Sequence, residues 1–252
     1  MAGYSEYLML DELLALQRLR TDRRNTELPF IVVHQVSELL AKLVINDLGA
    51  AICALDDDDL PSTLRSLRRV HEVDCLLLDQ LRLIEHLPPG GFADLRSALG
   101  TASAAESRQF ATIEVLSGPP RGDGQVGLAR DLWTALCAHA RRTGRDMPSG
   151  HGPGSQQRRI RTLVEIYRAE RGLLSDVCEA LLDHDHAFSM WRYRHSLAAA
   201  RNIGDRPGTG GTSGVAYLRR RSSRRFYPDL WATRNSMVAA APCELDVADR
   251  PR

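Results

Sequence analysis

Apolar side chains recur along most of the chain at steps of three and four, the period of helices that turn one face to a core. Leu10, Leu13, Leu14 and Leu16, with Tyr4, Tyr7 and Leu8 ahead of them, predict an amphipathic first helix within residues 4–20. The polar run Thr21–Glu27 predicts a connection, after which Pro29 suits the first turn of a second helix with a core stripe of Val36, Leu39, Leu40, Leu43 and Val44. On its other face Phe30, His34, Glu38 and Ala41 place an imidazole one turn from a phenyl ring and beside a small residue. Leu64, Leu67, Val70, Leu77, Leu81 and Ile84 are in phase over 60–87; Asp56–Asp59 suit the start of that helix and Pro88–Gly91 its end. Phe92 and Arg96 then fall one turn apart, with Ser103 two turns further if Gly100 does not break the helix. Residues 117–155 carry little signal beyond a short helix with Leu132, Trp133, Leu136 and Cys137. From Gln156 to Arg201 the pattern is strongly helical again, as one long element or an interrupted one.

With 252 residues, 43% hydrophobic and 26% charged, the chain has enough apolar surface for a substantial core in a single domain spanning 1–252. No run approaches the roughly 18 apolar residues of a membrane span, and no basic segment precedes an apolar one at the N-terminus. The expectation is a cytoplasmic protein without a membrane partner. Five scattered cysteines without a CxxC pair argue against a disulfide framework or a structural zinc site. A net charge of +1 gives no global case for nucleic acid, although Leu218–Phe226, LRRRSSRRF, is a basic patch.

Three features carry candidate chemistry. His184, Phe188, Trp191 and His195 follow one another at steps of four, three and four, so one helical face offers aromatic surface and imidazoles to a flat apolar ligand. Close behind, Gly208–Gly214, GTGGTSG, lets backbone approach a ligand with free N–H groups. Arg96 has the fork geometry that fixes a carboxylate. A cluster of Asp183, His184, Asp185 and His186 raises a non-heme metal enzyme as an alternative, but on one helix His184 and His186 point about 200° apart and cannot readily share an ion.

The order WRYRH at 191–195, RNIG at 201–204, GTGGTSG at 208–214, Tyr217-Leu218 and FYPDLW at 226–231 resembles the C-terminal third of the tryptophan 2,3-dioxygenase family. FIVVHQVSELLAKL at 30–43 resembles that family's FIxxHQxxEL helix, and 92–110 its FxxLRxxLxxxSGFQSxQF segment. The N-terminal YxxYLxLDxLLxLQ order agrees as well.

The resemblance implies an all-α helical-bundle heme protein that adds dioxygen-derived oxygen to the indole C2–C3 bond of L-tryptophan and yields N-formylkynurenine. It implies heme b, dioxygen or peroxide as oxidant, His195 as the proximal iron ligand, and His34 on the distal side. It further implies that Arg96 holds the substrate carboxylate, that Thr209 meets the ammonium or carboxylate, and that Phe30, Phe92, Ser103 and Ala104 shape the indole pocket. Tyr4, Tyr7 and Leu8, in a segment of about residues 1–20, would pack on a neighbouring subunit of a homotetramer or homodimer and help wall the indole in its substrate site. Two positions depart from the family pattern: its tyrosine is Phe92 here and its glycine is Ala104. Together with a middle third that reads as shortened, they raise the alternative of a relative that monooxygenates a substituted tryptophan to a 2-oxindole. A non-catalytic heme sensor is a lower-ranked alternative.

Overall fold

In a computed structural model, residues 3–100, 102, 106–118, 130–150, 152–169 and 172–238 are described, and every element among them is a helix. In chain order these are α1 (Tyr4–Tyr7), α2 (Leu10–Leu14), α3 (Arg24–Asp56), α4 (Leu60–Glu85), α5 (Pro89–Leu99) and α6 (Arg108–Ser117). They continue with α7 (Leu132–Arg142), α8 (Pro153–Arg168), α9 (Leu173–Ile203), α10 (Val215–Ser222) and α11 (Pro228–Val238). The long helices α3, α4 and α9 pack side by side, α4 in the middle, and the shorter helices cover them.

Helix α3 begins earlier than the connection Thr21–Glu27 suggested, so that Pro29 sits inside it. Its buried face is also not the expected stripe: Val33, Ala41, Val44, Leu48, Ala51, Ile52 and Leu55 are buried, whereas Val36, Leu39 and Leu43 are exposed, with Leu39 at 51% and Leu43 at 52%. The misreading has a physical cause. The helix is apolar nearly all round, so periodicity alone cannot choose its inner face. For the same reason the expectation that nothing approaches a membrane span needs correcting, since α3 is long and apolar enough to cross one by length and composition. Its buried positions are covered by α4, α6 and α7, and its Asp47 accepts from Arg69 on α4 at 2.6 Å.

The single N-terminal helix expected over 4–20 is instead two short helices separated by Met9 in a left-handed conformation, φ 50°. Among the described residues these two helices pack only on each other. Asp59 caps α4 by accepting from the Ser62 N–H at 2.9 Å, the helix-start role expected of the aspartate run. The neighbouring Asp58 ties the α3–α4 turn to α7 by accepting from His139 at 2.7 Å and Arg142 at 2.7 Å.

The entry into α3 depends on one buried carboxylate, Glu27, which accepts from the backbone N–H groups of Arg20 at 2.7 Å and Thr21 at 2.8 Å and from the Thr21 hydroxyl at 2.7 Å. Burial alone would raise its pKa, but these donors prevail and hold it below the ordinary value of 4.5. A depressed folded-state pKa means that the stabilisation is complete above the unfolded value and is lost as pH falls through the folded one. Acidification below about 4.5 is therefore expected to loosen residues 20–27 first. Amide hydrogen exchange at Arg20 and Thr21 should accelerate there in the wild type, while a Glu27→Gln variant should exchange at a rate independent of pH relative to neighbouring amides.

Across the middle of the bundle, His184 on α9 hydrogen-bonds Asp74 on α4 at 2.6 Å and Ser117 on α6 at 2.9 Å, with all three side chains fully buried. Asp185 accepts from the backbone N–H groups of Phe226 at 3.0 Å and Tyr227 at 3.2 Å and from Trp231 Nε1 at 2.8 Å. This fixes the FYPDLW run against α9. The predicted ligand face of α9 is corrected accordingly: His184 is a structural group, and the aromatic face open to a ligand begins at Phe188.

Candidate active site

Between α3, α5, α6, α9, α10 and the loop at 204–214 lies a cavity of about 850 Å³. Four of these walls bring sequence-predicted groups. α3 supplies Phe30 and His34, α5 supplies Phe92 and Arg96, α9 supplies His195, and the glycine-rich loop supplies Thr209. Segments more than 150 residues apart in sequence thus converge, as the separate motifs anticipated. Ala41 does not join them, because it is fully buried in the main core on the far side of α3. Tyr4, Tyr7 and Leu8 stand away from the cavity, exposed by 76%, 79% and 41%. Ser103 and Ala104 lie outside the described residues.

The two histidines differ in how they are held. His34 Nδ1 lies 2.7 Å from the Phe30 carbonyl oxygen, one turn back on the same helix. A carbonyl can only accept, so Nδ1 carries the proton and Nε2 keeps its lone pair. The Phe30 ring centroid is 4.0 Å from that of His34 and 6.0 Å from that of Phe92, which makes one continuous aromatic wall. Burial lowers the His34 pKa; the Phe30 carbonyl and the charge of Glu38 act against it without prevailing.

His195 is fixed by stacking. Its ring lies 5.6 Å from Trp191 at 17°, and Trp191 in turn lies 4.7 Å from Phe110 at 8°. Among the described residues neither ring nitrogen of His195 makes a hydrogen bond. Burial, with the nearby His34 as a smaller cause, pushes its pKa down to about 4. Above that pH it is a neutral imidazole with a lone pair to donate, beside an apolar cavity.

Arg96 is half-buried and donates to the carbonyl of Pro207, while Thr209 donates to the carbonyl of Ala102 at 2.6 Å. These contacts staple α5 and its following turn to the glycine-rich loop. Gly214 closes that loop at φ 61°, and a side chain there would run into the Arg206 carbonyl, so the glycine is required. Gly100, at φ 61°, ends α5 and breaks the helix between Arg96 and Ser103.

Glu38, on the predicted face with Phe30 and His34, accepts from the Gln109 side chain at 2.8 Å and thereby ties α6 to α3. Pattern reading missed another cavity carboxylate, Glu114, which accepts from both Arg192 and Arg221. Charged residues on three different helices have no periodicity to betray them; only the pairing in space does.

Among the described residues no group of three or more histidine, cysteine, aspartate or glutamate side chains is placed to hold a metal ion. The cavity instead offers two imidazoles, His34 and His195, on different helices, each with a ring nitrogen free to donate a lone pair. That donor set suits a metal whose other ligands come from a planar organic cofactor.

A family model described as tryptophan 2,3-dioxygenase matches residues 1–125 and 156–237. The chain belongs to the tryptophan 2,3-dioxygenase family. A tryptophan 2,3-dioxygenase of Myxococcus xanthus strain DK1622 is 31% identical over 264 residues, covering 95% of this chain and 91% of the relative. One of Anaeromyxobacter sp. strain K is 36% identical over 256 residues, covering 93% and 96%. One of Kineococcus radiotolerans is 34% identical over 264 residues, covering 93% and 91%. The family match passes over 126–155, the stretch in which the sequence showed least, while all of the motif-bearing helices fall within it.

Proposed function

We propose that the protein is a single-domain, heme-dependent tryptophan 2,3-dioxygenase that opens the indole ring of L-tryptophan to give N-formylkynurenine, with heme b as cofactor and dioxygen as oxidant. The observation that carries this reading is one neutral, stacked imidazole, His195, sharing an aromatic cavity with a second imidazole, His34, and with Arg96. The cavity, at about 850 Å³, lies within the size range of cofactor and small-molecule sites. His195 would hold the heme iron. When bound, the heme activates dioxygen for addition to the indole C2–C3 bond.

The chain's own residues bind and orient the substrate. Arg96 holds the carboxylate, and Thr209 meets the ammonium or carboxylate from the loop stapled to the same helix. Phe30 and Phe92 form one wall against the indole and keep water from it. His34 Nε2, left as an acceptor by the Phe30 carbonyl, takes a hydrogen bond from the indole N–H and is the nearest base for that proton. The relatives, all named tryptophan 2,3-dioxygenases, favour the ring-opening reading over the monooxygenase, sensor and non-heme alternatives.

The exposed Tyr4, Tyr7 and Leu8, in and just after a helix that among the described residues packs only on α2, support a neighbouring subunit as their acceptor in a homotetramer or homodimer. The reading includes a cytoplasmic location and no nucleic-acid or membrane partner. Heme-loaded protein given L-tryptophan in air is expected to consume it and release the ring-opened product; absence of turnover with fully loaded protein refutes the assignment.

The indole wall gives a smaller prediction. Phe92→Ala removes the edge-on partner of Phe30, an interaction worth about 0.5–1.5 kcal/mol beyond its area. KM for L-tryptophan should rise about three- to tenfold with a lesser change in kcat, measured by steady-state kinetics at equal heme content.

A further inference from the structure

In the cavity lining, α6, α9, α10 and the residue run after α10 contribute Glu114, Arg192, Arg221 and Arg224, three cations around one carboxylate. Glu114 Oε1 accepts from Arg192 at 2.9 Å and also from Arg221, so one carboxylate serves two guanidinium groups. Arg192 is fully committed: it is 5% exposed, it lies 4.7 Å and 4.8 Å from the Phe188 and Phe226 ring centroids, and it donates to the Arg224 carbonyl at 3.3 Å. Arg221, with a side chain 28% exposed, donates also to the Tyr217 hydroxyl at 3.2 Å. Arg224, two residues past the end of α10, lines the same cavity, and among the described residues its side chain has no ion pair or hydrogen bond. Asp131, the other carboxylate on this wall, caps α7 by accepting from the Thr134 N–H at 2.7 Å.

Arg224 is exposed, so its charge is solvated rather than strained, and its guanidinium lies beside the cavity ready to receive an anionic group of a ligand. Guanidinium groups bind carboxylates as a planar fork, and the edge of a protoporphyrin carries two. We infer that Arg221 and Arg224 form the binding site for the carboxylate edge of the porphyrin, with Glu114 and Arg192 as positioning residues that hold Arg221 in place. The inference rests on the heme reading and adds to it the residues that set the cofactor's orientation.

The test uses protein loaded either with iron protoporphyrin IX or with its dimethyl ester, in which the carboxylates are neutral. The readout is the rate at which each porphyrin leaves to a scavenging apo-globin. Wild type should lose the ester at least about tenfold faster than the free acid. Arg224→Gln and Arg221→Gln should each speed loss of the free acid about three- to tenfold, the worth of a partly exposed charge-assisted pair, and leave loss of the ester unchanged. Arg224→Gln touches no packed residue and serves where Arg221→Gln unfolds. The inference is overturned if wild type does not discriminate between the porphyrins, or if the variants affect both equally or neither. If wild type takes up neither porphyrin, the heme reading itself fails.

Discussion

His195→Ala is expected to abolish the Soret band of histidine-ligated heme and to lower heme affinity by more than about 100-fold, since loss of a mere outer-shell partner of a metal ligand typically costs 10–100-fold. The glycine-rich loop has no side chain that can replace the imidazole. The fold should survive, because His195 makes no hydrogen bond among the described residues and is held by stacking on Trp191 alone. Circular dichroism on the heme-free variant should therefore resemble that of heme-free wild type, and added imidazole should restore part of the band. A variant with an unchanged spectrum would place the iron ligand elsewhere. The same histidine sets an acid limit. Its folded pKa is lowered to about 4 from 6.5, so between these values the unfolded chain binds the proton more readily than the folded one. Heme-free protein should lose stability as pH falls from about 6.5 to about 4, by at most about 1.4 kcal/mol per pH unit from this group.

Arg96→Ala should weaken L-tryptophan binding by about 2–5 kcal/mol, thirtyfold or more, while barely affecting tryptamine, which lacks the carboxylate. In the structure one guanidinium nitrogen is already used on the Pro207 carbonyl, which aims the side chain at the loop carrying Thr209 and leaves its other donors for a ligand. Arg96→Lys keeps the charge but not the fork, so it should recover only part of the loss. Dissociation constants for both ligands, read from their perturbation of the heme spectrum, decide the matter. Equal losses for tryptophan and tryptamine would remove Arg96 from carboxylate binding and leave it as a staple between α5 and the loop.

Much of this architecture was legible in the sequence, and the failures share a cause. The amphipathic stretches that became α4 and α7 have one apolar face and one polar, so their period reveals both helix and orientation. α3 is apolar on two sides, and its inner face was misjudged because the sequence does not say which side the other helices cover. His184 and His195 occupy the same face by spacing, yet one is buried against Asp74 and Ser117 and the other borders a cavity. Only the position of α4 and α6 beside α9 separates these fates. The site residues with local motifs, His34, Arg96, Thr209 and His195, were found from the chain and do meet in space. The Glu114, Arg192 and Arg221 cluster was invisible until three helices had been packed together.

The central claim is ring cleavage of tryptophan by dioxygen, and the most direct measurement is mass spectrometry of the product formed from L-tryptophan by heme-loaded protein under isotopically labelled dioxygen. The expected product is ring-opened and carries both labelled oxygen atoms, before any exchange of the formyl oxygen with water. A closed-ring oxindole carrying one labelled atom, or a product whose oxygen comes from added peroxide, would contradict it.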